Sequence, residues 1–131
     1  MNIILIPCCK RKVVGGDRNY RTSRLAEFLG TTNLSHLMKA RLSLGKQLKL
    51  QPGPDLGFQE EGNVAYLPAY QRYSGVIYQG GNIFNLYKQF GGRVIILSAL
   101  YGLLDASDTI RNYDLSMTDT LPSGMRVGNH F

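Results

Sequence analysis

The sequence is short of the residues from which most catalytic and metal centres are assembled. Its 131 residues include only two cysteines and two histidines, too few for a zinc pattern built on Cys and His. Cys8 and Cys9 are neighbours, and a disulfide between adjacent residues strains both the peptide and the S–S geometry. That excludes a secreted disulfide framework. No apolar run approaches the roughly 18 residues that a membrane-spanning helix needs. The first residues read as a strand and lack a basic n-region, so no signal peptide is expected and the cytoplasm is the expected location. The G-x-x-x-x-G-K-[ST] spacing of a P-loop is absent. So are internal repeats and low-complexity tracts, and no metal or cofactor is expected. Acidic residues are also scarce: nine Asp and Glu stand against fifteen Lys and Arg, giving a net charge of +6.

The length suits one domain with one modest core. Ile3, Ile4, Leu5 and Ile6 form a continuous apolar run closed by Pro7, the pattern of a buried, central strand. Residues 94–97 repeat that pattern. Between them a short helix is expected over 21–29, capped by Thr22 or Ser23 and stopped by Gly30. The clearest helix spans 33–50, where Leu34, Leu37, Met38, Leu42 and Gly45 fall at helical spacing. Residues 51–63, with two prolines and three glycines, read as a loop. A short strand over 64–67, a helix beginning at Pro68 and a helix over 82–90 follow. Strand, helices, strand predicts a crossover and a parallel pair. The expected fold is α/β, with a small, mainly parallel sheet flanked by helices. One domain covers residues 1–120, and an irregular, poorly anchored tail covers 121–131.

A basic chain favours anionic partners, nucleic acid above all, although the same charge also serves solubility. The cations cluster twice: Lys10, Arg11 and Lys12 with Arg18 and Arg21, and Lys39, Arg41, Lys46 and Lys49 on the long helix. The lysines of the second cluster lie off the apolar stripe, as a solvated face would. Residues 8–12 follow the first strand, where cations and backbone amides suit a phosphate. The same charge favours a thiolate at Cys8 or Cys9. Without a partner histidine, a structural role ranks above nucleophilic catalysis. The strand at 94–97 runs into a tight turn and then Asp105, Asp108, Arg111, Tyr113 and Asp114. Confined carboxylates act as acid, base or nucleophile, but aspartates also close turns, and taken alone the turn role is the simpler. Asp108, Tyr113 and Ser98 are the candidate catalytic residues. Tyr66, Tyr70, Tyr73 and Tyr78, interleaved with Arg72, suit base stacking, but such tyrosines more often pack at a core edge. Gly75 lets the backbone approach a neighbour closely, and Ser74 has no base with which to form a triad.

In this order the segments resemble the YaaA family of peroxide-stress proteins and its shorter relatives. An N-terminal strand leads to a lysine, here residues 3–10, and a glycine-centred segment follows at 73–78. A long signature then runs from Leu97 to Met117. Within it Ser98, Leu100, Tyr101, Gly102, Leu104, Asp108, Tyr113, Leu115 and Met117 match in register. The resemblance implies an α/β protein with a positively charged groove that binds DNA and protects it during oxidative stress. It implies that Lys10, Ser98, Tyr101, Gly102, Asp108 and Tyr113 gather around one cleft, with Cys8, Ser74 and Gly75 on its walls. Phosphate contacts would come from Lys10, Arg11, Lys12, Arg18, Lys39 and Lys46, and double-stranded DNA without sequence preference is the expected partner. Two departures stand out. The long members run to about twice this length, beyond the usual size of a small domain, so a short or truncated relative is expected. Cys8 and Cys9 also replace small residues and proline. The residues support a second reading: an enzyme acting on a nucleotide, nucleoside or nucleobase at a Lys10/Asp108 cleft. There Asp108 would be acid, base or nucleophile, with Tyr101 or Tyr113 stacked on the base.

Overall fold

The structure is a computed structural model that describes residues 3–75, 85, 88–89 and 94–131. Residues 76–78 of the glycine-centred segment and most of the expected 82–90 helix lie outside the described residues. In chain order the elements are β1 (Ile4–Pro7), α1 (Ala26–Leu29), α2 (Thr31–Gln47), β2 (Tyr66–Pro68), α3 (Ala69–Arg72), β3 (Val94–Ser98), β4 (Gly102–Asp105) and β5 (Thr109–Arg111). Single 3-10 turns form at Pro54–Leu56 and Val127–Asn129.

The two apolar runs pair as expected: β1 lies parallel to β3, with Ile4 opposite Val94 and Pro7 opposite Leu97. The sheet as a whole is not mainly parallel. Its order is β1-β3-β4, and β4 runs antiparallel to β3, with Ser98 opposite Gly102. A second, two-stranded antiparallel sheet joins β2 to β5. The physical reason is the turn over residues 99–101. Gly102 takes φ +76, the left-handed conformation that closes a three-residue hairpin loop. Tyr101 N–H donates to Ser98 Oγ at 3.1 Å, so a side chain inside the signature fixes the reversal. Nor is β1 central. Among the described strands it pairs only with β3, and Leu5 on its outer face is 61% exposed.

Ile4 and Ile6 of β1, Val94 and Ile96 of β3 and Leu104 of β4 form the inner face of the sheet. They pack with Leu44 of α2, Leu56, Ala69 and Ile110. The helix expected over 21–29 is confined to α1, and Ser23 Oγ accepts the Leu25 N–H at 3.0 Å in the turn that leads into it. Gly30, at φ +80, separates α1 from α2. α2 ends in a Schellman motif: Leu50 N–H donates to Gly45 O at 3.0 Å and Lys49 N–H to Lys46 O at 3.2 Å. Glycine usually occupies the left-handed position of this motif. Here it is Lys49, at φ +54.

Among the described residues, three arginines lie inside. Arg41, grouped by sequence with the surface lysines, is buried, and donates to Tyr101 O at 2.8 Å and Leu103 O at 2.7 Å. Arg72 is fully buried and donates to the carbonyls of Val13 (2.7 Å), Gly15 (3.0 Å), Ala65 (3.1 Å) and Ile110 (3.2 Å). Arg111 forms an ion pair with buried Asp55, Nε to Oδ2 at 2.7 Å. The tail, expected to be poorly anchored, is tied down. Leu121 and Val127 are buried, and His130 Nε2 bonds Ala40 O at 2.8 Å. No helix among the described residues is long and apolar enough to cross a membrane.

Candidate functional site

Two polar centres flank β5. The first is a carboxylate hub that the sequence did not disclose. Asp55, 1% exposed, sits in the 3-10 turn inside the expected 51–63 loop. It accepts from Arg111 Nε at 2.7 Å and Nη2 at 2.8 Å, from Tyr101 OH at 2.6 Å and from Tyr66 OH at 3.1 Å. Burial and the adjacent carboxylate push both tyrosines well above their ordinary pKa, so they stay protonated donors. A Cβ on Gly53 would stand 2.6 Å from Asp55 Oδ1 and 2.6 Å from Tyr66 OH. Glycine is therefore required where the loop passes over the hub. Every oxygen is occupied from within, so this centre holds the fold together and leaves no position for a reactant.

The second centre lies at the carboxyl ends of β1 and β3, and it gathers parts of all three signature segments. Ser98 ends β3, Tyr73 follows α3 and Tyr113 follows β5. Their hydroxyls form a closed trio: Tyr73 to Tyr113 at 2.6 Å, Ser98 to Tyr113 at 3.1 Å and Tyr73 to Ser98 at 3.4 Å. Burial raises the pKa of both tyrosines. Lys12 crosses above them. Its Nζ lies 4.1 Å from the Tyr113 ring centroid and 5.7 Å from that of Tyr73. It donates to Lys10 O at 3.0 Å. Desolvation lowers the Lys12 pKa, partly offset by Cys8, Cys9 and Asp114. No carboxylate forms an ion pair with it among the described residues. Cys9 ties the loop to the next segment: its thiol donates to Arg11 O and accepts the Gly75 N–H, each at 3.1 Å. A Cβ on Gly75 would come within 2.9 Å of Cys9 Cβ, so the close approach expected of this glycine is made to Cys9. Ser74 N–H donates to Arg11 O at 3.0 Å.

The expected single cleft is thus divided. Ser98, Tyr101 and Tyr113 are adjacent, with the Tyr101 and Tyr113 rings 5.8 Å apart, and the loop bearing Lys10, Arg11 and Lys12 lies beside them. Asp108 belongs elsewhere. Ala106 N–H donates to Val94 O, at the start of β3, whereas Cys8 N–H donates to Leu97 O, near its end. Lys10 and Asp108 therefore flank opposite ends of the sheet, and a joint Lys10/Asp108 cleft does not form. Asp108 Oδ2 accepts from Ser23 Oγ at 2.9 Å and from the Asp105 N–H at 3.0 Å, closing the β4–β5 turn. Burial pushes its carboxyl up to about 6 against hydrogen bonds and the Arg41 charge that lower it. Gly102 faces Leu37 and Phe131. Lys10 and Arg11 are exposed, Arg18 is exposed and bonded to Asn63, and Lys39 and Lys46 line a separate shallow depression on α2. Of the crowded tyrosines, Tyr66 and Tyr73 are buried and Tyr70 half-buried, consistent with core packing.

Asp55 went unseen in the sequence because two of its partners, Tyr101 and Arg111, lie 46 and 56 residues away. Gly53-Pro54 marked only a turn.

A small mixed α/β protein emerges, with a basic loop seated over a hydroxyl trio and a half-buried amine. Among the described residues no cluster of His, Cys, Asp and Glu could hold a metal ion. Its sequence matches the family model described as peroxide stress protein YaaA over residues 4–130, and the chain belongs to that family. It is also 38% identical over 131 residues to a protein of Corynebacterium glutamicum (strain R) described as a UPF0246 protein. That alignment covers 92% of this chain and 53% of the relative, so the chain spans about half the relative's length.

Proposed function

We propose that this peroxide-stress family member binds DNA through its phosphates, with the loop over residues 10–18 as the principal contact. One observation carries this reading. Lys10, Arg11, Lys12 and Arg18 crowd one loop, and none of them pairs with a carboxylate among the described residues. The loop is held in place from below. Val13 N–H donates to Arg72 O at 2.8 Å, and the Arg72 guanidinium grips Val13 O and Gly15 O. Cations fixed on an anchored backbone hold phosphates without reading base sequence. Protection of DNA follows if the bound duplex is shielded from oxidants, and the family's association with peroxide stress supports that role.

The test is fluorescence anisotropy with a labelled duplex across a salt series. Log affinity should fall with log salt at a slope of about −3, the signature of three to four phosphate contacts. Lys10→Ala and Arg11→Ala should each reduce that slope by about one and weaken binding equally for unrelated sequences. Absence of binding at low salt overturns the proposal.

A further inference from the structure

The Cys8 thiol has no part in anchoring the loop and none in the phosphate reading. Cys8 extends β1 by one residue, its N–H donating to Leu97 O at 2.8 Å. Pro7 lies opposite Leu97, so the next pair along the parallel ladder is Cys8 and Ser98. Side chains alternate along a strand. Cys8 therefore follows Ile4 and Ile6 to the inner face, as Ser98 follows Val94 and Ile96. There it packs half-buried against the core. This places a thiol beside the hydroxyl trio of Ser98, Tyr73 and Tyr113. Lys12, Tyr73 and Tyr113 each interact electrostatically with Cys8.

The two cysteines differ in how far they are committed. Cys9 Sγ donates to Arg11 O and accepts the Gly75 N–H, each at 3.1 Å. Cys8 Sγ forms no hydrogen bond among the described residues. Cys8 is thus the sulfur left for a reactant. The pair is also badly placed to close on itself, because a disulfide between neighbours strains the peptide and the S–S geometry.

We infer that Cys8 is a modification site, oxidised by a hydroperoxide to a sulfenic acid with Lys12 as the proton donor. In this step the Cys8 thiolate, its proton lost to solvent, attacks one peroxide oxygen. An S–O bond forms as the O–O bond breaks, and the sulfur gives up two electrons to the peroxide. The leaving hydroxide takes a proton from the Lys12 ammonium and departs as water, and solvent reprotonates the amine. Desolvation, which lowers the Lys12 pKa, makes that proton easier to release. Each hydroxyl of the trio has two acceptor lone pairs and one proton, so the trio keeps capacity for the new S–OH. With no second thiol placed to condense with it, the sulfenic acid persists. The peroxide-stress family supplies the class of oxidant, and the inference does not rest on DNA binding.

The experiment treats the full chain with hydrogen peroxide in the presence of dimedone, which captures sulfenic acids, and locates the adduct by fragment-ion mass spectrometry. The adduct should form on Cys8 about 100-fold faster than on a short Cys-Cys peptide, the lower end of what a placed proton donor contributes. The chain unfolded in urea should react at the peptide's rate. Cys9→Ser should keep the Cys8 adduct. Lys12→Met, which keeps the length of the side chain, should slow its formation about 10-fold. A wild-type rate in Lys12→Met overturns the proton-donor role. An adduct on Cys9, a Cys8–Cys9 disulfide in place of the adduct, or a folded-state rate no faster than the peptide's overturns the site. Each of these outcomes is read without DNA, so a failure of the DNA reading leaves it unaffected.

Discussion

The buried arginines and the loop cations carry the same charge and do opposite work. Arg111 meets a carboxylate and Arg72 four carbonyls, and both side chains are buried. Lys10 and Arg11, a short distance along the same scaffold, are exposed and have no carboxylate partner among the described residues. A charge count treats these residues alike. The structure separates them by whether protein groups already satisfy each cation. A satisfied buried cation is architecture, and an unsatisfied surface cation is available to a ligand.

The difference can be broken most severely at Asp55. Asp55→Ala leaves Arg111 charged in the interior, and its expected cost is about 3–5 kcal/mol in urea denaturation. Arg72→Met conserves bulk but strips the donors from the carbonyls of Val13, Gly15, Ala65 and Ile110. A loss of about 2–3 kcal/mol is expected, together with faster amide exchange at Val13.

Asp108 gives a smaller effect with a sign of its own. Its carboxyl lies at about 6 in the folded protein against an ordinary 3.8, so the native state holds the proton more tightly than the unfolded chain. Stability present below about pH 4 is therefore lost as pH rises through about 6, and it is level above that. Asp108→Asn keeps an oxygen for Ser23 and the Asp105 N–H but carries no charge. It should abolish the decline and raise stability at pH 7 by an amount on the order of 2 kcal/mol, read from unfolding midpoints at pH 4 and pH 7. At the far end of the scale, Lys10→Ala should change stability by less than about 0.5 kcal/mol while weakening DNA binding. A large stability loss there would erase the contrast with Arg72.

Elements whose signal is local were legible in the sequence. The apolar runs of β1 and β3, the spacing along α2 and the proline opening α3 each imposed their structure on their own residues. The second half of the signature was not. Residues 102–111 contain two strands, yet Gly102 read only as part of a turn. What makes it the start of β4 is its left-handed φ and the Ser98–Tyr101 hydrogen bond, both set by geometry. The site was half legible. The signature marked Ser98 and Tyr113 and the charge pattern marked residues 10–12. The match to the family, however, falls on Lys10, whereas Lys12 is the lysine over the tyrosine rings, because the chain from Arg11 to Val13 runs antiparallel to residues 72–74. Asp108 was drawn into the wrong neighbourhood because sequence proximity to Tyr113 conceals the length of β5 between them.

Arg72 has one more consequence, and it is entropic. Basic segments that meet nucleic acid as disordered tails surrender conformational freedom as they bind, and that loss subtracts from affinity. Here the loop backbone is already held, at Arg11 by the Cys9 thiol and at Val13 and Gly15 by the Arg72 guanidinium. Only the outer side chains remain to be ordered. If the loop binds DNA as proposed, a buried arginine that never touches the ligand would set how much of each phosphate contact survives as affinity.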